Sequence, residues 1–296
     1  MKDTFLLFIK GMAMGIANVI PGVSGGTIAL ITNIYERLID SLKSFNLKAL
    51  KMLTSLKFKE FTCYTDLNFI IIVFGGSIIS VFGIAWIFDF LFQKYPEYIW
   101  GFFFGLILSS IYYIAKRVVI WNYSTKLSLL IGTVIALGLS FLSFSQENSN
   151  LLYVFLCGIV GISGMLLPGL SGSYILLIMG NYKLLLVTAI KNIDYILLSV
   201  FFAGSVFGLM SFSHILSFLL KRYKDIVLAI LSGFILGSLV MIWPWLHRVE
   251  TMDKPIIEYA YIPNIDDIST IITIGYILIG VITVILLEYS SKKMIK

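Results

Sequence analysis

The chain has 296 residues, 59% of them hydrophobic and only 13% charged, and its mean hydropathy is +0.97. A soluble domain cannot hide that much apolar surface, so the composition points to lipid as the solvent and to an all-α polytopic membrane protein. The net charge of +6 lies on no basic stripe of a soluble face, which argues against nucleic acid, and two cysteines, Cys63 and Cys157, make neither a disulfide framework nor a metal-ligand cluster.

The first apolar region, residues 5–35, is too long for one comfortable span and is cut by Pro21-Gly22-Val23-Ser24-Gly25-Gly26-Thr27. Its pieces, 5–20 and 24–35, are short for separate spans of a hydrocarbon core roughly 30 Å thick. A re-entrant hairpin of two half-helices is therefore expected, with two thin full spans as the alternative. No small-residue cleavage site follows the first piece, so it is not read as a signal peptide. Lys10 and Asn18 lie in the first half-helix, where intramembrane polarity hints at function; Lys10 is also long enough to snorkel. Glu36, Arg37 and Asp40 follow at the membrane boundary. The lysine-rich stretch 41–66 reads as an amphipathic helix on the membrane surface.

Three spans follow at 68–92, 98–115 and 127–144, the first carrying Asp89 near its end. A second broken region, 151–182, contains Pro168-Gly169-Leu170-Ser171-Gly172-Ser173-Tyr174. Three more spans follow at 194–220, 226–245 and 267–287, the first of them carrying His214 near its end. A long, acidic loop precedes the last span. Asp89 and His214 are candidates for a coupling proton, His214 because its unperturbed pKa is near neutral. Both are equally ordinary as interfacial polar groups.

The second motif stands 147 residues after the first, and the likeness continues beyond it. Gly76-Ser77 matches Gly204-Ser205, Gly105 matches Gly233, and Ser110 matches Ser238, each 128 residues on. The change of offset places the insertion 41–66 in the first half. One transport domain, 1–296, thus divides into a repeat of about 1–145 and another of about 151–296. Each holds one hairpin and three spans. Three is odd, so the halves run oppositely through the membrane and the hairpins enter from opposite faces. With both termini in the cytoplasm, Lys43, Lys48, Lys51, Lys57, Lys59, Lys116, Arg117, Lys126, Lys221, Arg222 and Lys224 all fall inside. The loop with Glu250, Asp253, Glu258, Asp266 and Asp267 falls outside, as positive-inside sorting requires.

The motif has a physical use. Pro removes a backbone donor and Gly permits a turn, so the chain can stop one helix and start another. The restarted helix carries unpartnered N–H groups and the positive end of its dipole, which together suit an anion and phosphate in particular. Ser24, Thr27, Ser171 and Ser173 add hydroxyls. Gly22, Gly25, Gly26, Gly169 and Gly172 let a headgroup approach the backbone, and Pro21 and Pro168 set the breaks. The same small residues also serve tight helix packing. Breaks at corresponding positions of two halves favour a substrate site.

The doubled Pro-Gly-x-Ser-Gly, with the order Lys-Gly-Met-Ala-Met-Gly-Ile-Ala-Asn-Val-Ile-Pro-Gly-Val-Ser-Gly-Gly-Thr from Lys10 to Thr27, resembles the bacterial polyprenyl-phosphate transporter (PopT) family. The resemblance covers essentially the whole chain. It implies a flippase of the bacterial plasma membrane that returns undecaprenyl phosphate from the outer to the inner leaflet, with no cofactor. Ser173 and Tyr174 stand where the first copy has Gly26 and Thr27, so the halves are expected to hold the headgroup unequally. Two other functions compete. A BacA-type undecaprenyl-pyrophosphate phosphatase has Pro-Gly-x-Ser-Arg-Ser, but Gly25 and Gly26 occupy the Arg-Ser positions here, and the lost Arg is the group that would stabilise a transferring phosphoryl. A transporter of small anions would use helix ends in a similar way.

Overall fold

The computed structural model describes residues 2–19, 23–142, 145–251 and 254–293. The first half begins with α1 (Lys2–Val19) and the short α2 (Gly25–Ile31), followed by α3 (Tyr35–Ser44), α4 (Leu47–Thr54) and α5 (Phe58–Tyr64). Three long helices complete it: α6 (Leu67–Lys94), α7 (Pro96–Ala115) and α8 (Tyr123–Ser140). The second half has α9 (Leu151–Leu166), the short α10 (Gly172–Ile178), a π-turn at Leu184–Thr188 running into α11 (Ala189–Lys191), then α12 (Tyr195–Arg222), α13 (Lys224–Ser238) and α14 (Ile268–Lys293). Among the described residues, five helices are individually long and apolar enough to cross a membrane, and a sixth qualifies when α5 and the start of α6 are taken as one span bent by 65°. The chain is a multi-pass helical membrane protein.

Polar caps fix several helix starts. Asn122 accepts from Thr125 N at 3.0 Å, Asn150 from Leu152 N at 2.9 Å, and Asp194 from Ile196 N and Leu197 N at 3.1 Å each. Each satisfies a donor that the first helical turn leaves open. The Asn122 cap starts α8 four residues earlier than apolar composition suggests. At its other end, α13 stops short of residue 245. A 3₁₀ turn, Leu239–Ile242, leads to Trp243, which is extended because Pro244 follows it.

The helices pack in close pairs built on glycine. Gly11 of α1 lies against the Val73 carbonyl of α6, and Gly76 of α6 against the Phe8 carbonyl of α1. Gly158 of α9 meets the Phe201 carbonyl of α12, and Gly204 of α12 meets that of Phe155. Two further pairs cross between the halves. Gly105 of α7 meets the Ile277 carbonyl of α14 and Gly280 of α14 that of Phe102, while Gly132 of α8 and Gly233 of α13 meet Ile230 and Leu129. A Cβ at any of these positions would run into the facing backbone. Lipid offers no hydrophobic drive between helices, so such close van der Waals approach is what joins them. The core holds Tyr35, Phe69, Ile114, Leu228 and Ile235, all fully buried, whereas Phe82, Phe202 and Ile271 point outward as a lipid-facing surface requires.

Two expectations are corrected. The stretch 41–66 forms the end of α3 and two short helices rather than one, because Leu56 adopts a positive φ of 55° between them. The loop before the last span contains an antiparallel hairpin, β1 (Leu246–Thr251) with β2 (Lys254–Ala260), Leu246 opposite Ala260. Val249, Thr251, Ile256 and Ile257 give these segments the β-branched content strands favour.

Candidate functional site

The site is built where α1 turns into α2 and α9 into α10. Ser24 has extended backbone angles, φ −113° and ψ 131°, and caps α2, its Oγ accepting from Gly26 N at 3.2 Å. Asn18, on the last turn of α1, accepts from Gly25 N at 2.8 Å, and Ser24 O accepts from Thr27 N at 2.9 Å. The donors at the start of α2 are therefore already engaged within the protein. This corrects the expectation of open N–H groups at the first motif. Ser24 is 3% exposed and Thr27 fully buried.

At its other end α2 is held by two cations. Lys10 Nζ donates to Thr32 O at 2.7 Å, and Arg117 donates to Leu30 O at 2.7 Å and Ile31 O at 3.1 Å. Positive groups on C-terminal carbonyls match the negative end of the helix dipole. Lys10 thus sits at the opposite end of α2 from the motif, not beside a headgroup there. Arg117 also pairs with Glu288 of α14 at 3.5 Å, the two side chains being 23% and 9% exposed.

The second copy is more open. Ser171 precedes α10 with φ −103° and ψ 126°, and no side chain caps that helix. Its Oγ lies 2.8 Å from Ser173 Oγ, with Ser171 half-buried and Ser173 exposed. A cavity of about 10 Å³, room for about one water, is lined by Ala136, Leu139, Ser140, Gly169, Leu170, Ser171, Tyr174, Ser238 and Met241. Tyr153 Oη donates to Met179 O at 2.8 Å. A neutral phenol therefore stands at the carbonyl that corresponds, 147 residues on, to the one Lys10 caps.

The two copies touch. Ser24 Oγ donates to Leu167 O at 3.3 Å, and Gly169 N donates to Thr27 Oγ1 at 3.1 Å. Gly26 faces the Leu166 carbonyl and Pro168, and a Cβ there would lie 3.2 Å from Leu166 O. Tyr35, 2% exposed, completes the junction by donating from Oη to Leu166 O at 2.9 Å. Tyr35→Phe removes that bond and is expected to cost about 1–2 kcal/mol. Thermal unfolding in detergent checks it; an unchanged midpoint would mean that the Leu166 carbonyl finds another donor.

The remaining sequence candidates lie elsewhere. Glu36 pairs with Lys224 at 2.6 Å. Arg37 forms a forked bond to Asp66, at 2.6 and 3.0 Å, and covers the Phe69 ring. His214 Nδ1 lies 2.7 Å from Met210 O on its own helix. Asp40 meets Lys221 at 2.8 Å and Ser217 at 2.6 Å. Burial pushes the Asp40 carboxyl up, but the Lys221 and Ser217 bonds and the charges of Lys221 and Lys43 outweigh it, leaving it below its ordinary range. Pro21, Gly22 and the Asp89 side chain lie outside the described residues. Among those described, no group of three His, Cys, Asp or Glu side chains is placed to hold a metal. In the sequence Arg117 is an ordinary loop charge. Its one signal was its place, two residues beyond the end of a span.

The structure is that of a polytopic helical membrane protein whose two Gly- and Ser-rich motifs touch in its interior. Residues 14–258 match the family model described as VCA0040-like, undecaprenyl phosphate translocase-like, and the chain belongs to that family, one of transporters rather than enzymes. It is 41% identical to a polyprenyl-phosphate transporter of Vibrio cholerae serotype O1, over 80% of this chain and 77% of the relative. It is 29% identical to a polyprenyl-phosphate transporter of Staphylococcus aureus, over 80% of this chain and 86% of the relative. No solved structure matches it.

Proposed function

We propose that this chain returns undecaprenyl phosphate from the outer to the cytoplasmic leaflet of the bacterial plasma membrane, for reuse in envelope synthesis. The observation that carries the reading is the junction of the two motifs, Ser24 to Leu167 and Thr27 to Gly169, in a family whose relatives are named polyprenyl-phosphate transporters. On this reading α1–α2 and α9–α10 are re-entrant hairpins entering from opposite faces, with both termini cytoplasmic. The recurrence of the glycine contacts supports an inverted repeat. Gly11 on Val73 corresponds to Gly158 on Phe201, and Gly105 on Ile277 to Gly233 on Leu129.

The substrate asks little chemistry of the protein. One phosphate must be sheltered while a long apolar tail stays in lipid. An anion leaving water without hydrogen-bond donors is heavily penalised, so the path must supply them. Ser171 and Ser173 offer hydroxyls beside the uncapped start of α10, where Gly169 and Gly172 let the turn pack closely on α13 and α9. Ser24, Gly25, Gly26 and Thr27 hold the corresponding donors, engaged by Asn18 and by one another until the headgroup replaces those partners. Two such stations back to back form a relay across the membrane, with Pro168 at the second break. Lys10 and Arg117 fix the far end of α2 while its first turn exchanges partners.

The test uses purified protein in sealed proteoliposomes, with undecaprenyl phosphate followed between leaflets by a headgroup-binding probe. Protein-dependent exchange without phosphate release supports the flippase. Phosphate release from the pyrophosphate lipid would instead mean hydrolysis, and uptake of free phosphate without lipid exchange would mean a small-anion transporter. Ser24→Ala combined with Ser171→Ala is expected to slow exchange about tenfold or more, two hydroxyl bonds to a charged group being worth roughly 1.5–3 kcal/mol each. Normal exchange by the folded double variant would leave only backbone donors in the role.

A further inference from the structure

The helices α4 and α5 form a small unit outside the helical bundle, and neither the transport reading nor the site uses it. Leu47 is 81% exposed, Leu50 55%, Leu53 40%, Leu56 73% and Phe58 55%. The three leucines of α4 recur every third residue and so share one arc of the helix. Lys48 and Lys51, both exposed, fall on the adjoining arc, while Ala49 is buried and Met52 half-buried toward the protein. Lys57 and Lys59 add exposed cations; in this segment Glu60 is bonded to Lys57 at 3.0 Å.

The unit is braced rather than loose. Asn46 caps α4 through Lys48 N and Ala49 N, and its Nδ2 donates to Tyr64 Oη at 3.0 Å. The Phe45 and Phe61 rings meet edge to face at 6.2 Å. It is also placed. The chain bends by 65° between α5 and the spanning helix α6, and Asp66, at the bend, is gripped by Arg37. A segment turned by 65° from a helix that crosses the bilayer runs closer to the membrane plane than to its normal. Leucines on one arc and lysines on the next fit an interface in which the first enter the acyl boundary and the second reach phosphates.

We infer that α4–α5 is a docking surface for the anionic phospholipids of the leaflet at that end of α6, with Leu47, Leu50 and Leu53 inserted and Lys48, Lys51 and Lys57 on the headgroups. The inference requires only the membrane placement of α6, not the identity of the transported lipid.

Spin labels at Leu50→Cys and, separately, at Lys48→Cys test it in a Cys63→Ser background; the remaining Cys157 is buried. The full protein is placed in nanodiscs of phosphatidylcholine alone or mixed with phosphatidylglycerol. The label at position 50 should be reached by oxygen and shielded from an aqueous nickel chelate, and the label at 48 should show the reverse. Phosphatidylglycerol should deepen the label at 50. That shift should vanish in the Lys48→Gln, Lys51→Gln, Lys57→Gln variant and at high salt, where headgroup attraction is screened. Free access of nickel to position 50 in both lipids would overturn the inference. So would spin–spin coupling between copies, which would make the leucine arc a contact between protomers. A depth insensitive to phosphatidylglycerol would remove the anionic part and leave plain apolar insertion.

Discussion

Arg117→Met is expected to abolish lipid exchange and to lower thermal stability by about 3 kcal/mol, in the range for breaking a buried ion pair. The guanidinium joins three elements. It bonds two carbonyls at the end of α2 and the carboxylate of Glu288 on α14, and it is carried by the chain leaving α7. Its removal takes the charge from the negative end of α2 and the cation from beside the buried Glu288. The consequence reaches the motif because α2 is only seven residues long. A shift at Leu30 and Ile31 is transmitted over about 10 Å of rigid helix to Ser24 and Thr27, which hold the second copy. Arg117→Lys should be intermediate, since an ammonium keeps the charge and loses the fork that reaches two carbonyls and a carboxylate together. Proteoliposome exchange and detergent melting, measured on both variants, check this. Wild-type exchange by a folded Arg117→Met protein would show that α2 needs no tether.

What the sequence made legible follows from local physics. Long apolar runs mark the spanning helices because a bilayer core imposes their length. The breaks at the two motifs were visible because Pro and Gly disrupt helices wherever they stand, and the helices restart at Ser24 and Ser171, residues suited to that position. What stayed hidden depends on contacts between distant residues. Nothing in the order of residues says that Asn18 folds back onto Gly25, or that Lys10 points to Thr32 and away from the motif. Arg117 and Leu30 are remote in sequence, and Tyr35 and Leu166 still more so. A positive loop residue and an aromatic at a helix start look ordinary until the bundle brings them to a buried carbonyl. The partners of the boundary charges Glu36 and Arg37, Lys224 and Asp66, are likewise remote in sequence. The β-hairpin was masked by its acidic composition, which reads as a loop when charge is weighed above β-branched content.

Gly169→Ala should reduce exchange at least tenfold while leaving a folded protein. Gly169 has φ +82°, a left-handed conformation that a side chain raises by about 1–2 kcal/mol. Space compounds the strain. A Cβ at this position would lie 2.6 Å from Ile235 N, 2.7 Å from Phe234 C and 2.8 Å from Ile235 Cα. All three are backbone atoms of α13, so no rotamer change relieves the clash, and α13 or the turn must move. The turn is the softer of the two, because α13 is a continuous buried helix and the segment before Ser171 is not. Its movement would pull the Gly169 N–H from Thr27 and reorient Ser171, uncoupling the copies at their junction. Gly138→Ala supplies the control. Gly138 is adjacent to cavity-lining Leu139, yet a Cβ there meets nothing within 4 Å, and alanine should stabilise α8 by up to about 1 kcal/mol. Thr27→Ser and Thr27→Val then separate geometry from bonding. Serine keeps an oxygen for Gly169 N and should transport, whereas valine has the same shape without the acceptor and should fail as Gly169→Ala does. Equal exchange by the serine and valine variants would assign the defect of Gly169→Ala to the displaced turn alone.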